Sequence, residues 1–443
     1  MPGDTAPHVV EDLLGLVQLL SDGSVVRGDE AVLAPKEPFP DVPGVQWKDV
    51  VYHAARGLRV RVYRPASASS AVAGGGKLPV LVYFHGGGYC LGSFAQPTFH
   101  AFCLRATAEL PAVVLSVQYR LAPEHRLPAA IDDGAAFLSW LRGQAELGAC
   151  ADPWLAESAD FARTFLSGVS AGANLAHHLA VQVALARLAV SPVRIVGYVL
   201  LSAFFGGTER TASEADLTTD VSLPVEMCEQ LWHMSLPVGA TRDHPVANPF
   251  GPESPSLAPV ELPPALVVAP LGDVLRDRVL GYAARLKDMG KDVELVEFEG
   301  QQHGFSVLQP FGVAADELMR VLRRTACKYC RLYVEHLELC IKRSTGKPPL
   351  TTITKDGAAT TLYTMSFSIG HLMVFNLSAF CTGHRFVVQR ADNDCDALRL
   401  VPDLADQHTQ TFVLCLRNDN TTGFTGNSMG TTIFRGWPFS SCP

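Results

Sequence analysis

The sequence predicts an α/β protein built on an open, mostly parallel central sheet. Three observations carry that prediction. Six continuous apolar runs recur along the chain: PVLVYF (79–84), AVVLSV (112–117), FARTFLSG (161–168), VRIVGYVLLSAF (193–204), PALVVAP (264–270) and DVELVEF (292–298). A run apolar on both faces is what a parallel strand buried between helices requires. The intervals between runs leave room for a helix in nearly every crossover. The chain of 443 residues is 48% hydrophobic and 18% charged, which supplies a large core and excludes a disordered chain. In such a sheet the active site lies at the carboxyl ends of the strands.

In chain order, MPGDTAPHVVEDLLGLVQLLSDGS comes first. Its apolar stretch Leu13 to Leu20 follows Glu11 and Asp12 with no basic segment, and it is too short to span a bilayer. It reads as an amphipathic surface helix, not a signal peptide. VQWKDVVYHAARGLRVRVYRP (45–65) reads as an antiparallel hairpin turning at ArgGly. SASSAVAGGGK (67–77) is a surface loop. The long Pro-rich interval 205–262 is irregular for a crossover, and about 208–236 reads as an inserted cap. DELMRVLRR (316–324) reads as the last helix of the fold.

From 326 to 443 the pattern changes to an atypical extension, rich in Cys, Thr and Asn, expected to be poorly ordered. Of eleven cysteines only Cys90, Cys103, Cys150 and Cys228 precede residue 327. Those four read as free thiols in a reducing compartment. Cys327, Cys330, His336 and Cys340 have the residue types of a zinc site, but the flanking glycines of a knuckle are missing, so no metal is expected. The net charge of −8 gives no reason to expect nucleic acid or an anionic membrane as partner. A cytoplasmic protein, monomer or homodimer, without cofactor is the expectation. Asn376 and Asn420 sit in glycosylation sequons that carry no meaning without a secretory signal.

The chemistry begins at YFHGGGYCLGS (83–93). A glycine-rich turn after a strand cradles phosphate or shapes an oxyanion hole. Neither Gly86 to Gly88 nor Gly74 to Gly76 satisfies the P-loop pattern, and Leu91 stands where a dinucleotide fingerprint needs its third glycine. The oxyanion reading needs a nucleophile. Gly168-Val169-Ser170-Ala171-Gly172 follows an apolar run and precedes the helical pattern ANLAHHLAVQVALARLAV. That strand–turn–helix context is the one a nucleophile elbow demands. A second match, Gly426 to Gly430 around Ser428, has a β-like sequel and no acid or histidine downstream; it is chance.

A serine hydroxyl needs a base, and the base needs an orienting acid. The chain order for an elbow of this kind is Ser, then acid, then His. PALVVAP ends at LGDVLRD and DVELVEF ends at EGQQHGF, which places Asp273 and His303 just past strand ends. Asp277 is the rival acid, four residues deeper. The N–H groups of Gly87, Gly88 and Ala171 can then converge on one carbonyl oxygen, with glycine needed so that the backbone can approach. His85 and Gly86 read as support for this loop rather than as catalytic groups. His177 or His178 reads as a satisfied core histidine, and Glu124 with Arg126 as a structural loop network.

The motifs HGGGYCLGS, YRLAPEHRLPAA (119–130), GVSAGANLAHH, FFGGTERT, SLPVGATRDHPVANPFGP, DVLRDR and HGF resemble, in order and spacing over residues 8 to 325, the hormone-sensitive-lipase-like α/β-hydrolases. Within them the chain is similar to plant carboxylesterases, relatives of the gibberellin receptor. The resemblance implies an α/β-hydrolase domain over 1–325. It implies a Ser170–His303–Asp273 triad and a lid made by the N-terminal segment 1–44 with 208–236. The stretch VVEDLLGLVQLLSDGSVVR further resembles a subgroup linked to hydrolysis of strigolactones. The implied substrate is a small apolar ester or lactone, met by the lid residues Leu13, Leu14, Val17, Leu19 and Leu20. Val169 and Ala173 depart from the acid and glycine that many relatives carry around the serine, which alters the polarity of the elbow. The alternative is a non-catalytic hormone receptor on the same scaffold. That receptor line has lost the catalytic histidine, whereas His303 stands here.

Overall fold

The computed structural model of the protein describes residues 6–66, 77–216 and 221–345, with short strands at 350–353, 359–362, 377–378, 385–391 and 397–402; side chains are described to residue 330. The chain divides into two compact units. The first holds eleven of the strands and all the helices among the described residues.

Its N-terminus forms a small antiparallel sheet of β1 (Val9–Leu13), β2 (Val17–Leu20) and β3 (Val25–Arg27). This corrects the expected amphipathic helix. Leu14 (φ 54°) and Gly15 (φ 70°) adopt left-handed backbone, and Gly15 N–H donates to the Asp12 carboxylate at 2.7 Å. Those contacts reverse the chain within the apolar run. Asp22-Gly23, with Gly23 at φ 83°, makes the second reversal, a dipeptide suited to tight hairpins. Leu13, Leu16 and Val17 are buried, whereas Leu14 is exposed.

The main sheet has eight strands: β4 (Val45–His53), β5 (Leu58–Pro65), β6 (Leu78–Phe84), β7 (Val113–Val117), β8 (Ala159–Val169), β9 (Ile195–Leu201), β10 (Ala265–Pro270) and β11 (Val293–Phe298). Their order is β11-β10-β9-β8-β6-β7-β5-β4. The six predicted runs are the six parallel strands β6 to β11. The predicted hairpin is β4–β5, an antiparallel pair whose β5 in turn pairs antiparallel with β7.

Helices α1 (Pro97–Glu109), α2 (Ala129–Leu147), α3 (Pro153–Ser158), α4 (Ala171–Ala184), α5 (Ala212–Ala215), α6 (Val225–Ser235), α7 (Arg276–Asp288), α8 (Phe305–Leu308) and α9 (Val313–Thr345) complete the unit. Alternation along β6 feeds both faces. Val80, Val82 and Phe84 share a core with Leu138 of α2, Leu175 of α4 and Tyr282 of α7. Leu81 and Tyr83 share the other with Phe102 of α1 and Leu318 of α9. Burial on both faces is the reason these strands carry no polar alternation.

The last helix does not stop at residue 324. It passes through the expected boundary at 325, and Tyr329 and Cys330 are buried in the second core. The Tyr329 hydroxyl donates to the Ala265 carbonyl at 3.2 Å, and its ring abuts Gly197. The polar Arg323, Arg324 and Lys328 lie on the solvent side of a helix that still carries a buried stripe. Beyond it, strands 377–378, 385–391 and 397–402 pair antiparallel. The second elbow match, Asn376, the sequon at Asn420 and the side chains of His336 and Cys340 lie outside the described residues. Among the described residues no helix is long and apolar enough to cross a membrane.

Candidate active site

The turn at Ser170 is built by two glycines. β8 ends at Val169 and α4 starts at Ala171, leaving Ser170 between them at φ 56°, ψ −121°. A non-glycine residue there stores strain that its surroundings must hold. Ser170 N–H donates to Leu201 O at 2.9 Å, and Ser170 O accepts from Ala173, Asn174 and Phe204 N–H. A Cβ on Gly168 would lie 2.3 Å from the Gly172 backbone, and one on Gly172 2.0 Å from Phe84 O. No side chain fits at either place, so the pattern around the serine is steric in origin.

Two loops bring a histidine and an aspartate to this serine. His303 follows β11, and its Nε2 lies 2.8 Å from Ser170 Oγ. Asp273 follows β10, and its Oδ2 lies 2.7 Å from His303 Nδ1. The other Asp273 oxygen accepts from Leu275 N–H at 2.9 Å. Asp273 is 3% exposed, Ser170 and His303 9% each. The rival Asp277 lies elsewhere: it accepts from Ser213 N–H at 2.7 Å and pairs with Arg276 at 3.0 Å. Burial alone would raise its carboxyl, but the bonds from Ser213 and Arg276 outweigh that and hold it below the usual range.

The glycine loop runs beside the elbow. A Cβ on Gly86 would lie 3.1 Å from Ser170 Cβ, and one on Gly87 2.1 Å from Leu91 O. Gly87 and Gly88 have φ 112° and 59°. Among the described residues the N–H groups of Gly87 and Gly88 donate to no backbone acceptor. Ala171 opens α4, so its N–H has no partner within the helix. His85 is 1% exposed, its Nδ1 2.7 Å from Gly86 O and its ring stacked 4.2 Å from Tyr119. Burial pushes its imidazole down to about 4, so at neutral pH it is uncharged and its Nδ1–H donates to Gly86 O.

Residues from two distant segments cover this end of the sheet. The Leu231 side chain of α6 lies against Gly88. Ser222 Oγ–H donates to His303 O at 3.0 Å, and Ser213 Oγ–H to Val274 O at 2.7 Å. A buried ion pair, Arg278–Glu214, ties α5 to α7. The N-terminal sheet packs on α6: Glu11 lies 2.5 Å from His233 Nδ1, and Gln230 donates to Asp12 O at 3.3 Å.

His177 and His178 both meet acceptors or donors in the interior, Tyr282 OH and Val246 O, at 2.9 Å each. Arg126 donates to His233 O of α6 and to Leu236 O just past its end, and Glu124 pairs with Arg27. Sequence reasoning missed Asn174, which joins Tyr89 OH to Val246 O, and it missed Tyr119 and Arg27. Tyr119 heads YRLAPEHRLPAA and was open to notice. Arg27 carries no local signal, because its partners are 63 to 97 residues away.

A serine hydroxyl facing an imidazole that faces a buried carboxylate is suited to nucleophilic acyl transfer. A family model for the alpha/beta hydrolase fold matches residues 81–307. Probable carboxylesterase 8 of Arabidopsis thaliana is 38% identical over 284 residues, which is 63% of this chain and 82% of that relative. The gibberellin receptor GID1 of Oryza sativa subsp. japonica is 36% identical over 308 residues, 65% of this chain and 83% of the receptor. The solved structure of esterase LipW from Mycobacterium marinum matches with TM-score 0.54 at 30% identity, covering 65% of this chain and 82% of that one. Strand order, elbow and these likenesses together place the chain in the α/β-hydrolase family, beside the plant carboxylesterases and the gibberellin receptors.

Proposed function

We propose that this carboxylic ester hydrolase works through an acyl-enzyme on Ser170, with His303 as base and acid and Asp273 as the group that orients it. The observation that carries the reading is the continuous chain Ser170 Oγ, His303 Nε2, His303 Nδ1, Asp273 Oδ2, with contacts of 2.8 and 2.7 Å. His303 takes the hydroxyl proton as Oγ attacks the ester carbonyl carbon. The resulting oxyanion is met by N–H groups of Gly87, Gly88 and Ala171, one such donor being worth about 3 kcal/mol in the transition state. The positive end of α4 adds to this. Collapse of the tetrahedral intermediate breaks the carbon–alkoxide bond, and His303 returns the proton to the departing alcohol. A water then attacks the acyl carbon, giving its proton to His303, which passes it to Ser170 Oγ as the acyl–Oγ bond breaks and the free acid is released. The Asp273 carboxylate stabilises the imidazolium that forms at each step.

The substrate class in this reading is a small apolar ester or lactone, a plant hormone lactone such as a strigolactone included. The apolar residues over the glycine loop support it, Leu231 above all, together with the resemblance of the N-terminal stretch. The N-terminal segment and 208–236 act as the lid. Purified protein should hydrolyse p-nitrophenyl acetate, and a mass-spectrometric screen of hormone lactones, acyl esters and glycosyl esters should find a preferred small ester. Cleavage of long-chain lipids alone would overturn the substrate class. The likeness to a gibberellin receptor supports a second reading, ligand binding without turnover; tight binding of a hormone with no Ser170-dependent hydrolysis would establish it instead.

A further inference from the structure

The glycine loop is gripped from outside by one short N-terminal segment. Arg27, the last residue of β3, lays its guanidinium against three partners. Nη1 donates to Cys90 O. Nη2 donates to Ala122 O at 2.7 Å and to Glu124 Oε2 at 2.6 Å, and Nε to Glu124 Oε1 at 2.9 Å. Three residues later, Glu30 accepts from Gly92 N–H at 2.9 Å and stands 3.7 Å from Arg27. Cys90 and Gly92 belong to the same tight turn as Gly87 and Gly88. Inside that turn Cys90 and Leu91 N–H donate to Gly87 O at 3.0 and 2.8 Å. Arg27 thus holds a carbonyl and Glu30 an N–H on the outer side of the turn, while the Gly87 and Gly88 N–H groups remain on the turn without backbone acceptors.

A peptide plane is rigid, so fixing Gly87 O from one side sets the direction of the N–H of Gly88 on the other. Glycines at positive φ have unusual freedom, and three successive glycines would not hold that direction by themselves. Arg27 presents a planar fork of donors, suited to bridging two carbonyls and a carboxylate at once. We propose that Arg27 and Glu30 are positioning residues for the oxyanion loop, which they preorganise from the N-terminal segment. The inference rests on the acyl-enzyme reading above. It assigns the segment a part in transition-state stabilisation, beyond covering the site.

The test uses the full chain. Wild type, Arg27→Met, Arg27→Lys and Glu30→Ala are compared for kcat and KM on p-nitrophenyl acetate. They are also compared for affinity toward phenylboronic acid, to whose boron Ser170 Oγ adds while its proton passes to His303. A misaligned hole costs the transition state more than the ground state. Arg27→Met should lower kcat about tenfold and weaken boronic acid binding by a similar factor, with KM within about twofold. Arg27→Lys should recover part of both, since an ammonium reaches one carbonyl but not the full set. Glu30→Ala should lower both about threefold. Unchanged kcat and boronic acid affinity in folded Arg27→Met would overturn the proposal, and so would a rise in KM alone. If Arg27→Met fails to fold by circular dichroism, Glu30→Ala decides by the same two readouts. Absence of Ser170-dependent hydrolysis in the wild type would remove the acyl-enzyme reading, and the positioning role with it.

Discussion

Leu231 rests on Gly88: a Cβ built on that glycine would lie 2.5 Å from Leu231 Cδ1 and 2.6 Å from Cδ2. The leucine is 4% exposed and comes from α6, 143 positions along the chain. The contact means that the loop and the helix above it cannot be altered independently.

Gly88→Ala should therefore lose activity for two reasons. The residue would sit at φ 59°, costing a side chain about 1 kcal/mol, and it would press on a buried leucine. The kcat/KM on p-nitrophenyl acetate should fall at least about tenfold. Gly57→Ala is the control, because Gly57 has φ 66° but nothing within 4 Å of its Cβ position; that variant should keep full activity. Adding Leu231→Ala to Gly88→Ala should restore part of the loss. Equal activity in Gly88→Ala and wild type would remove the loop from the mechanism.

Ser170→Ala deletes the hydroxyl proposed as nucleophile while leaving the flanking glycines in place. Its kcat should drop on the order of 10⁴-fold or more, as single triad deletions do. Incubation with a chelator should leave the wild-type rate unchanged, since no step draws on a metal. Full activity in Ser170→Ala would sink the acyl-enzyme assignment.

The two aspartates should rank unequally. Asp273→Asn removes the anion 2.7 Å from His303 Nδ1 and should lower kcat roughly 10⁴-fold. Asp277→Asn disturbs a bond to Ser213 and a half-buried pair with Arg276, and its rate should stay close to wild type. Steady-state kinetics on both variants decide the order, and the reverse ranking would name Asp277 as the acid.

The second core of the first unit includes Tyr329 and Cys330. Tyr329→Ala should cost about 3 kcal/mol of stability, in the range of large core truncations. A chain ending after Arg324 loses Tyr329 and Cys330 together, so its thermal midpoint should fall by several degrees. A chain ending after Glu335 keeps both and should melt close to the full chain. Calorimetry on the two truncations checks this, and identical midpoints would show that Tyr329 contributes nothing.

Sequence alone determined the parallel sheet and the chain order of Ser170, Asp273 and His303 at its strand ends. Strands buried on both faces must be apolar, so β6, β7, β9 and β10 were legible as runs, as was the buried second half of β8. The elbow was legible because Gly168 and Gly172 answer to local sterics, and the loops after β10 and β11 have to end where the sheet ends. Tertiary structure decided what depends on distant partners. The N-terminal apolar run has no strict period, and the turn at Leu14 and Gly15 made it a hairpin where a helix was expected. The last helix continued past 324 because Tyr329 finds a place between Gly197 and Ala265, a place no local pattern records. Asp273 and Asp277 are alike as residues; only the approach of His303 to one and of Ser213 to the other tells them apart. Arg27 looks like any surface arginine until the fold brings Cys90, Ala122 and Glu124 around it, since hydrogen bonds between segments 63 to 97 residues apart leave no trace in local composition.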